Sequence, residues 1–235
     1  MLAPFRVKIC GITSVEDAVA AAEAGADAIG LNFYAKSPRH VEREQAKTIA
    51  DAVRGKLQIV GLFVNAGSVE ISQLHALIGF TAIQLHGDEV PAQIGQLQER
   101  LSKGSSALMP IIRAFRLKTP NFAPIQAFLT DCQRQNVSPS AVLVDAFSTT
   151  NLGGTGKTLD WNALASQWQN ISLPAVLAGG LTPQNVRSAI LSSQALAVDT
   201  ASGVELSPGK KDAQAMNLFV SEAKAAWTEL KKRSL

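Results

Sequence analysis

The chain has 235 residues, 46% hydrophobic and 17% charged, enough to bury a large core in one or two domains. Its 17 glycines and 10 prolines are ordinary usage, which excludes collagen-like, coiled-coil and mostly disordered chains. A formal charge of +3 from 22 basic and 19 acidic residues, scattered along the sequence, does not make a nucleic-acid groove. Two cysteines and three histidines form neither a disulfide framework nor a zinc pattern, so a reduced, cytoplasmic, metal-free protein is expected. No apolar stretch approaches the roughly 20 residues that span a bilayer, and Met1 to Arg6 has no signal-peptide core. No low-complexity linker divides residues 1–235, which are read as a single domain.

Eight short apolar runs follow one another: Arg6–Cys10, Asp27–Leu31, Gln58–Val64, Thr81–Leu85, Met109–Phe115, Ala141–Asp145, Pro174–Ala178 and Ala195–Asp199. Most are continuously hydrophobic, as parallel strands covered on both faces are. Between them the period becomes helical, with Val15, Ala18, Val19 and Ala22 on one face and Ala46, Ile49, Ala50 and Val53 on another. Ser14 caps the first of these helices, Asp17 completes a capping box and Gly25 closes the far end. Thr182–Pro183 starts a later helix, and Met216, Phe219, Val220, Ala223, Trp227 and Leu230 make a C-terminal apolar stripe. Eight strands about 27 residues apart fit an α/β (β/α)8 TIM barrel in count and length. A doubly wound open sheet is the alternative, but no G-x-G-x-x-G follows a strand.

A barrel carries its active site at the C-terminal ends of its strands. The polar residues there are Cys10, Asn32, Asn65, Gln84 with His86, Arg113, Asp145, Gly179–Gly180, and Asp199 with Ser202. A thiol, carboxylates and glycine turns on one rim point to proton transfer on a small phosphorylated molecule. Gly179 and Gly180 let the backbone approach an anion, with the helix start at Thr182–Pro183 close by, and the segment through Ser202 and Gly203 adds donors. The bland alternative is that these glycines only make tight turns. Gly153-Gly-Thr-Gly-Lys-Thr158 lacks the leading glycine of a P-loop, with Asn151 in its place, and residues 146–157 are read instead as an active-site flap. Cys132 shares a helical face with Ile125, Phe128 and Leu129 and is expected in the core. Cys10 shares a strand face with Lys8, whose ammonium is expected to lower the thiol pKa; a buried cysteine plugging the barrel is the alternative.

Lys8-Ile-Cys-Gly-Ile-Thr13, Gln84-Leu-His-Gly-Asp88, Gly153-Gly-Thr-Gly-Lys-Thr158 and Val198-Asp-Thr-Ala-Ser-Gly-Val-Glu205 with Pro208-Gly-Lys-Lys-Asp212 together resemble the phosphoribosylanthranilate isomerases of tryptophan biosynthesis. The resemblance runs in order from first strand to last. It implies a (β/α)8 barrel, an aldose–ketose isomerase and an Amadori rearrangement without metal or cofactor. It makes Cys10 the general base and Asp145 the general acid, which needs a raised carboxyl pKa for that role. It also makes the arginine of Phe33-Tyr-Ala-Lys-Ser-Pro-Arg39 the holder of the anthranilate carboxylate; a surface ion pair with a neighbour such as Glu42 is the alternative. His86 either lines the site or satisfies a loop hydrogen bond, and Asp199 either meets a ribose hydroxyl or orders the phosphate loop. Leu159 departs from the aromatic common in the family. The competing readings are the related histidine-pathway sugar isomerase, disfavoured by Cys10 where a two-aspartate site is expected, and a catalytically silent phosphate-binding barrel. The expected partner is the small phosphorylated substrate alone, with neither nucleic acid nor membrane, and a monomer is the default.

Overall fold

The computed structural model describes residues 3–102, 108–145 and 160–233. The expected flap at 146–157, the glycine-rich string at 153–158, and Leu159 lie outside them. Each apolar run holds one strand: β1 (Val7–Cys10), β2 (Ala28–Asn32), β3 (Gln58–Phe63), β4 (Ala82–Leu85), β5 (Ile111–Arg116), β6 (Ala141–Asp145), β7 (Ala175–Ala178) and β8 (Ala197–Thr200). All pair in parallel in sequence order, and β8 returns to β1 through Lys8 opposite Asp199, closing the barrel. Among the described residues eight α-helices alternate with them: α1 (Val15–Glu23), α2 (Arg43–Val53), α3 (Ser68–Ile78), α4 (Pro91–Ser102), α5 (Ala123–Arg134), α6 (Trp161–Gln167), α7 (Val186–Ser193) and α8 (Ala213–Arg233). A small antiparallel hairpin, β9 (Glu205–Ser207) and β10 (Lys210–Lys211), sits between β8 and α8. Among the described residues no helix is long and apolar enough to cross a membrane.

The strands are apolar on both faces because each face meets a different core. Inside the barrel lie mostly small residues, Ala28, Ala82, Ala114, Ala141, Ala178 and Ala197, with Val60, Ile112, Leu143 and Val176, and with Phe5 closing the N-terminal end. The alternate residues, among them Ile9, Ile29, Ile59, Ile83, Ile111, Val142, Leu177 and Val198, pack outward against the helices. Cys132 is buried in that outer layer, and the α8 stripe packs there from Met216 to Trp227.

Two helix starts differ from the sequence expectation. Ser14 caps α1, its Oγ accepting from Asp17 N at 3.1 Å, but Asp17 does not return the bond. Its carboxylate accepts the Lys211 amide of β10 at 3.0 Å, because the hairpin presents a donor there. Helix α7 begins at Val186, not at Thr182–Pro183. Residues 182–185 form a turn, closed by Thr182 N donating to Asn185 Oδ1 at 2.8 Å and by Asn185 and Val186 amides donating to Thr182 O.

Candidate active site

Two-residue alternation selects which rim residues look into the barrel mouth. Lys8 and Cys10 stand above each other on the inner face of β1. The same parity brings inward Asn32 from β2, Gln84 and His86 at the end of β4, Arg116 from β5, Asp145 from β6, Gly180 after β7 and Asp199 from β8. These residues, except fully buried Lys8, line a cavity of about 430 Å³, within the size range of small-molecule sites. Arg39, Gly179, Ser202 and Gly203 complete its wall, so all nine sequence-expected site residues meet in one place.

Two expected rim residues do not. Asn65 lies on the outer parity of β3 with φ of 55°, and its side chain accepts the Asp88 amide at 2.7 Å. Arg113 is interior to β5 and points into the helical layer, where it donates to the Gly87 and Glu89 carbonyls and lies 4.9 Å from the Phe115 ring. Its place at the mouth is taken by Arg116, which sequence reading missed although it shares a face with Ile112 and Ala114. Tyr34, Ser37, Leu62 and Val64 also line the wall without having been singled out.

The floor is a chain of buried charge. Lys8 has no exposed surface, and its Nζ lies 2.8 Å from Asp199 Oδ1. Burial works against its ammonium, but Asp199 and Cys10 together outweigh burial and hold its pKa above the ordinary lysine value. Burial raises Asp199 as well, against the pull of Lys8. Cys10 corrects the sequence expectation: Lys8 does draw its thiol pKa down, yet burial is larger and the net shift is upward. The thiol sits where it does because Gly30 faces it across the strand pair; a Cβ there would lie 2.6 Å from Cys10 Sγ.

Asp145 stands on the neighbouring sector of the mouth, with His86 Nε2 3.6 Å and Arg116 Nε 4.0 Å from its Oδ2. Gln84 Nε2 lies 3.1 Å from His86 Nδ1; with the amide donating, Nδ1 accepts and the neutral ring carries its proton on Nε2, toward Asp145. Arg39 does not pair with Glu42. Its Nε and Nη2 donate to Glu205 at 2.8 and 2.7 Å, while Glu42 lies 3.8 Å from His40 Nδ1.

On the sector between Asp145 and Cys10, the turns after β7 and β8 bring backbone to the cavity wall. Gly179 and Gly180 have φ of 92° and 64°, and Ser202–Val204 make one turn of 3-10 helix. The amides of Gly180, Ser202 and Gly203 have no hydrogen-bond partner among the described residues. Gly203 is tightly held, since a Cβ would lie 1.8 Å from the Leu181 carbonyl oxygen. The cavity wall includes Gly180, Ser202 and Gly203 but no residue of 182–193, so the loop backbone rather than the first turn of α7 faces the cavity.

A barrel mouth that gathers a thiol, two carboxylates, a histidine and arginines beside unpaired backbone donors defines a (β/α)8-barrel enzyme of acid–base chemistry. The family model "N-(5'phosphoribosyl)anthranilate (PRA) isomerase" matches residues 7–222. The chain belongs to that family. It is 42% identical over 220 residues to N-(5'-phosphoribosyl)anthranilate isomerase of Geobacter sp. (strain M21), covering 93% of this chain and 98% of the relative. The crystal structure of phosphoribosyl anthranilate isomerase from Thermotoga maritima is similar with a TM-score of 0.74 and 34% identity, over 96% of this chain and all of that one. A phosphoribosyl anthranilate isomerase in complex with reduced 1-(o-carboxyphenylamino)-1-deoxyribulose 5-phosphate is similar with a TM-score of 0.73 at the same identity, over 96% of this chain and 100% of that one.

Proposed function

We propose that the chain catalyses the Amadori rearrangement of N-(5'-phosphoribosyl)anthranilate to 1-(2-carboxyphenylamino)-1-deoxyribulose 5-phosphate in tryptophan biosynthesis, with Asp145 as general acid and Cys10 as general base. The carrying observation is that Cys10 and Asp145 open into one cavity, with only β7 and β8 between their strands. Asp145 protonates the furanose ring oxygen as its bond to C1′ breaks, and the anilino nitrogen lone pair forms the C=N bond of a Schiff base. Cys10 thiolate then takes the C2′ proton. The released pair forms C1′=C2′, and the C=N pair returns to nitrogen, giving an enolamine. Ketonisation adds a proton to C1′ and releases that of the C2′ hydroxyl, restoring both groups.

The surrounding groups fit these steps. His86 and Arg116 face the carboxylate that Asp145 becomes on donating its proton, and Lys8 faces the thiolate. Arg39 keeps donors free for the anthranilate carboxylate, a planar match for its fork. Asp199 is suited to a ribose hydroxyl above Lys8, and Gly179, Gly180, Ser202 and Gly203 to the phosphate. Every group invoked belongs to one chain, so a monomer suffices, acting in the cytoplasm without a cofactor. Purified protein mixed with freshly made phosphoribosylanthranilate should abolish the substrate's fluorescence at an enzymatic rate. A folded preparation that leaves the fluorescence decaying at the uncatalysed rate would overturn the reading.

A further inference from the structure

The β9–β10 hairpin adds nothing to barrel closure, yet it carries buried charge to the rim. Glu205 opens β9 with its side chain 4% exposed. Oε1 accepts from Arg39 Nε at 2.8 Å, Lys211 Nζ at 2.7 Å and the Gly209 amide at 3.3 Å, and Oε2 accepts from Arg39 Nη2 at 2.7 Å. Lys211 is fully buried and donates also to the Ala201 carbonyl at 3.0 Å, one residue before the Ser202 turn. Arg39 crosses close over Gly11, where a Cβ would lie 2.4 Å from its Cδ, so the side chain occupies space that only a glycine leaves open. A guanidinium has five N–H donors. Two serve Glu205, and the Nη1 edge has no partner among the described residues. Two cations around one carboxylate leave one positive charge in excess, held rigidly at the wall of the cavity.

We propose that Glu205 is the positioning residue of the substrate-carboxylate subsite: it clamps the inner edge of the Arg39 fork so that the outer edge faces the anthranilate carboxylate. Lys211 fixes Glu205 in turn and ties the clamp to the backbone of the anion-binding turn. This rests on the reading of Arg39 as the carboxylate holder.

The test compares two inhibitors: the reduced product analogue, which carries the ortho carboxylate, and the same compound with an unsubstituted phenyl ring. Glu205→Gln should raise KM and the Ki of the carboxylated analogue by about tenfold, the size of one charge-assisted bond lost, with kcat and the Ki of the phenyl analogue within about twofold. In an Arg39→Ala background, which has lost the discrimination already, Glu205→Gln should add nothing. Should Glu205→Gln fold poorly with Lys211 left buried and unpaired, Glu205→Gln with Lys211→Met removes both ions, and the same loss of discrimination is expected. Equal weakening of both analogues, or unchanged Ki values, would overturn the positioning role. If Arg39→Ala still discriminates as the wild type does, the carboxylate reading itself fails.

Discussion

Gly30 lies on β2 directly opposite Cys10, and its missing side chain is the space the thiol occupies. Replacing it by Ala would set a Cβ 2.6 Å from Cys10 Sγ, 3.1 Å from Cys10 Cα and 3.2 Å from Lys8 Nζ. Ordinary contact between such atoms is about 3.5–4 Å, so Sγ must retreat by about 1 Å, and the backbone contact prevents relief by a rotamer change alone. Overpacking of this kind costs about 1–3 kcal/mol of stability, while a reacting atom misplaced by about 1 Å can cost about 10²-fold in rate. Gly30→Ala should therefore fold, melt a few degrees lower and lose about 10² in kcat with KM little changed. Steady-state kinetics on the purified variant, beside thermal unfolding, separate the two effects. Gly67→Ala is the control, since a Cβ there meets nothing within 4 Å. Gly30→Ala with wild-type kcat would mean that the Sγ position does not matter, and the thiol could not be the base.

Arg39→Ala should mainly raise KM, by about 10–100-fold for the roughly 1.5–3 kcal/mol of a charge-assisted bond, because the carboxylate hardly changes charge during reaction; a KM unchanged from wild type would remove Arg39 from the site. Lys8→Met should move the rising limb of the kcat/KM–pH profile to higher pH. Burial already raises the Cys10 thiol, Lys8 opposes it, and losing the ammonium lets the pKa climb further, so an unmoved limb would show that Lys8 does not act on the thiol. Gly203→Ala, which forces a Cβ against the Leu181 carbonyl, should weaken competitive inhibition by inorganic phosphate; an unchanged phosphate Ki would count against the loop as the phosphate site.

The fold was legible because most strands are apolar on both faces, and every apolar run overlaps a barrel strand beginning within two residues of the run's start. The site was legible to the extent that strand alternation carries it. Cys10, His86, Asp145 and Asp199 share inner parity with small barrel-filling residues. Nearness to a strand end alone selects Arg113 and Asn65, whereas strand parity assigns both outward and selects Arg116. Helix α7 starts later than Thr182–Pro183 implies because Pro183 sits in a turn closed by Asn185, which occupies the N-cap position while its Oδ1 accepts from Thr182 N. The Arg39–Glu205 clamp was invisible for a different reason: its partners are 166 residues apart, and no local spacing encodes the meeting. Nor does sequence give the balance between burial and Lys8 that sets the direction of the Cys10 shift.

The division of labour between Cys10 and Asp145 is tested most directly by the kcat of Cys10→Ser at saturating substrate, with Cys132→Ser as the companion thiol. A serine hydroxyl is a far weaker base, so kcat should fall by about 10²–10⁴ while the reduced product analogue still binds. Cys132, buried among the outer-layer side chains of α5, should tolerate the change with kcat nearly intact. Wild-type turnover by Cys10→Ser, in a folded protein that binds the analogue, would contradict the assignment of the base.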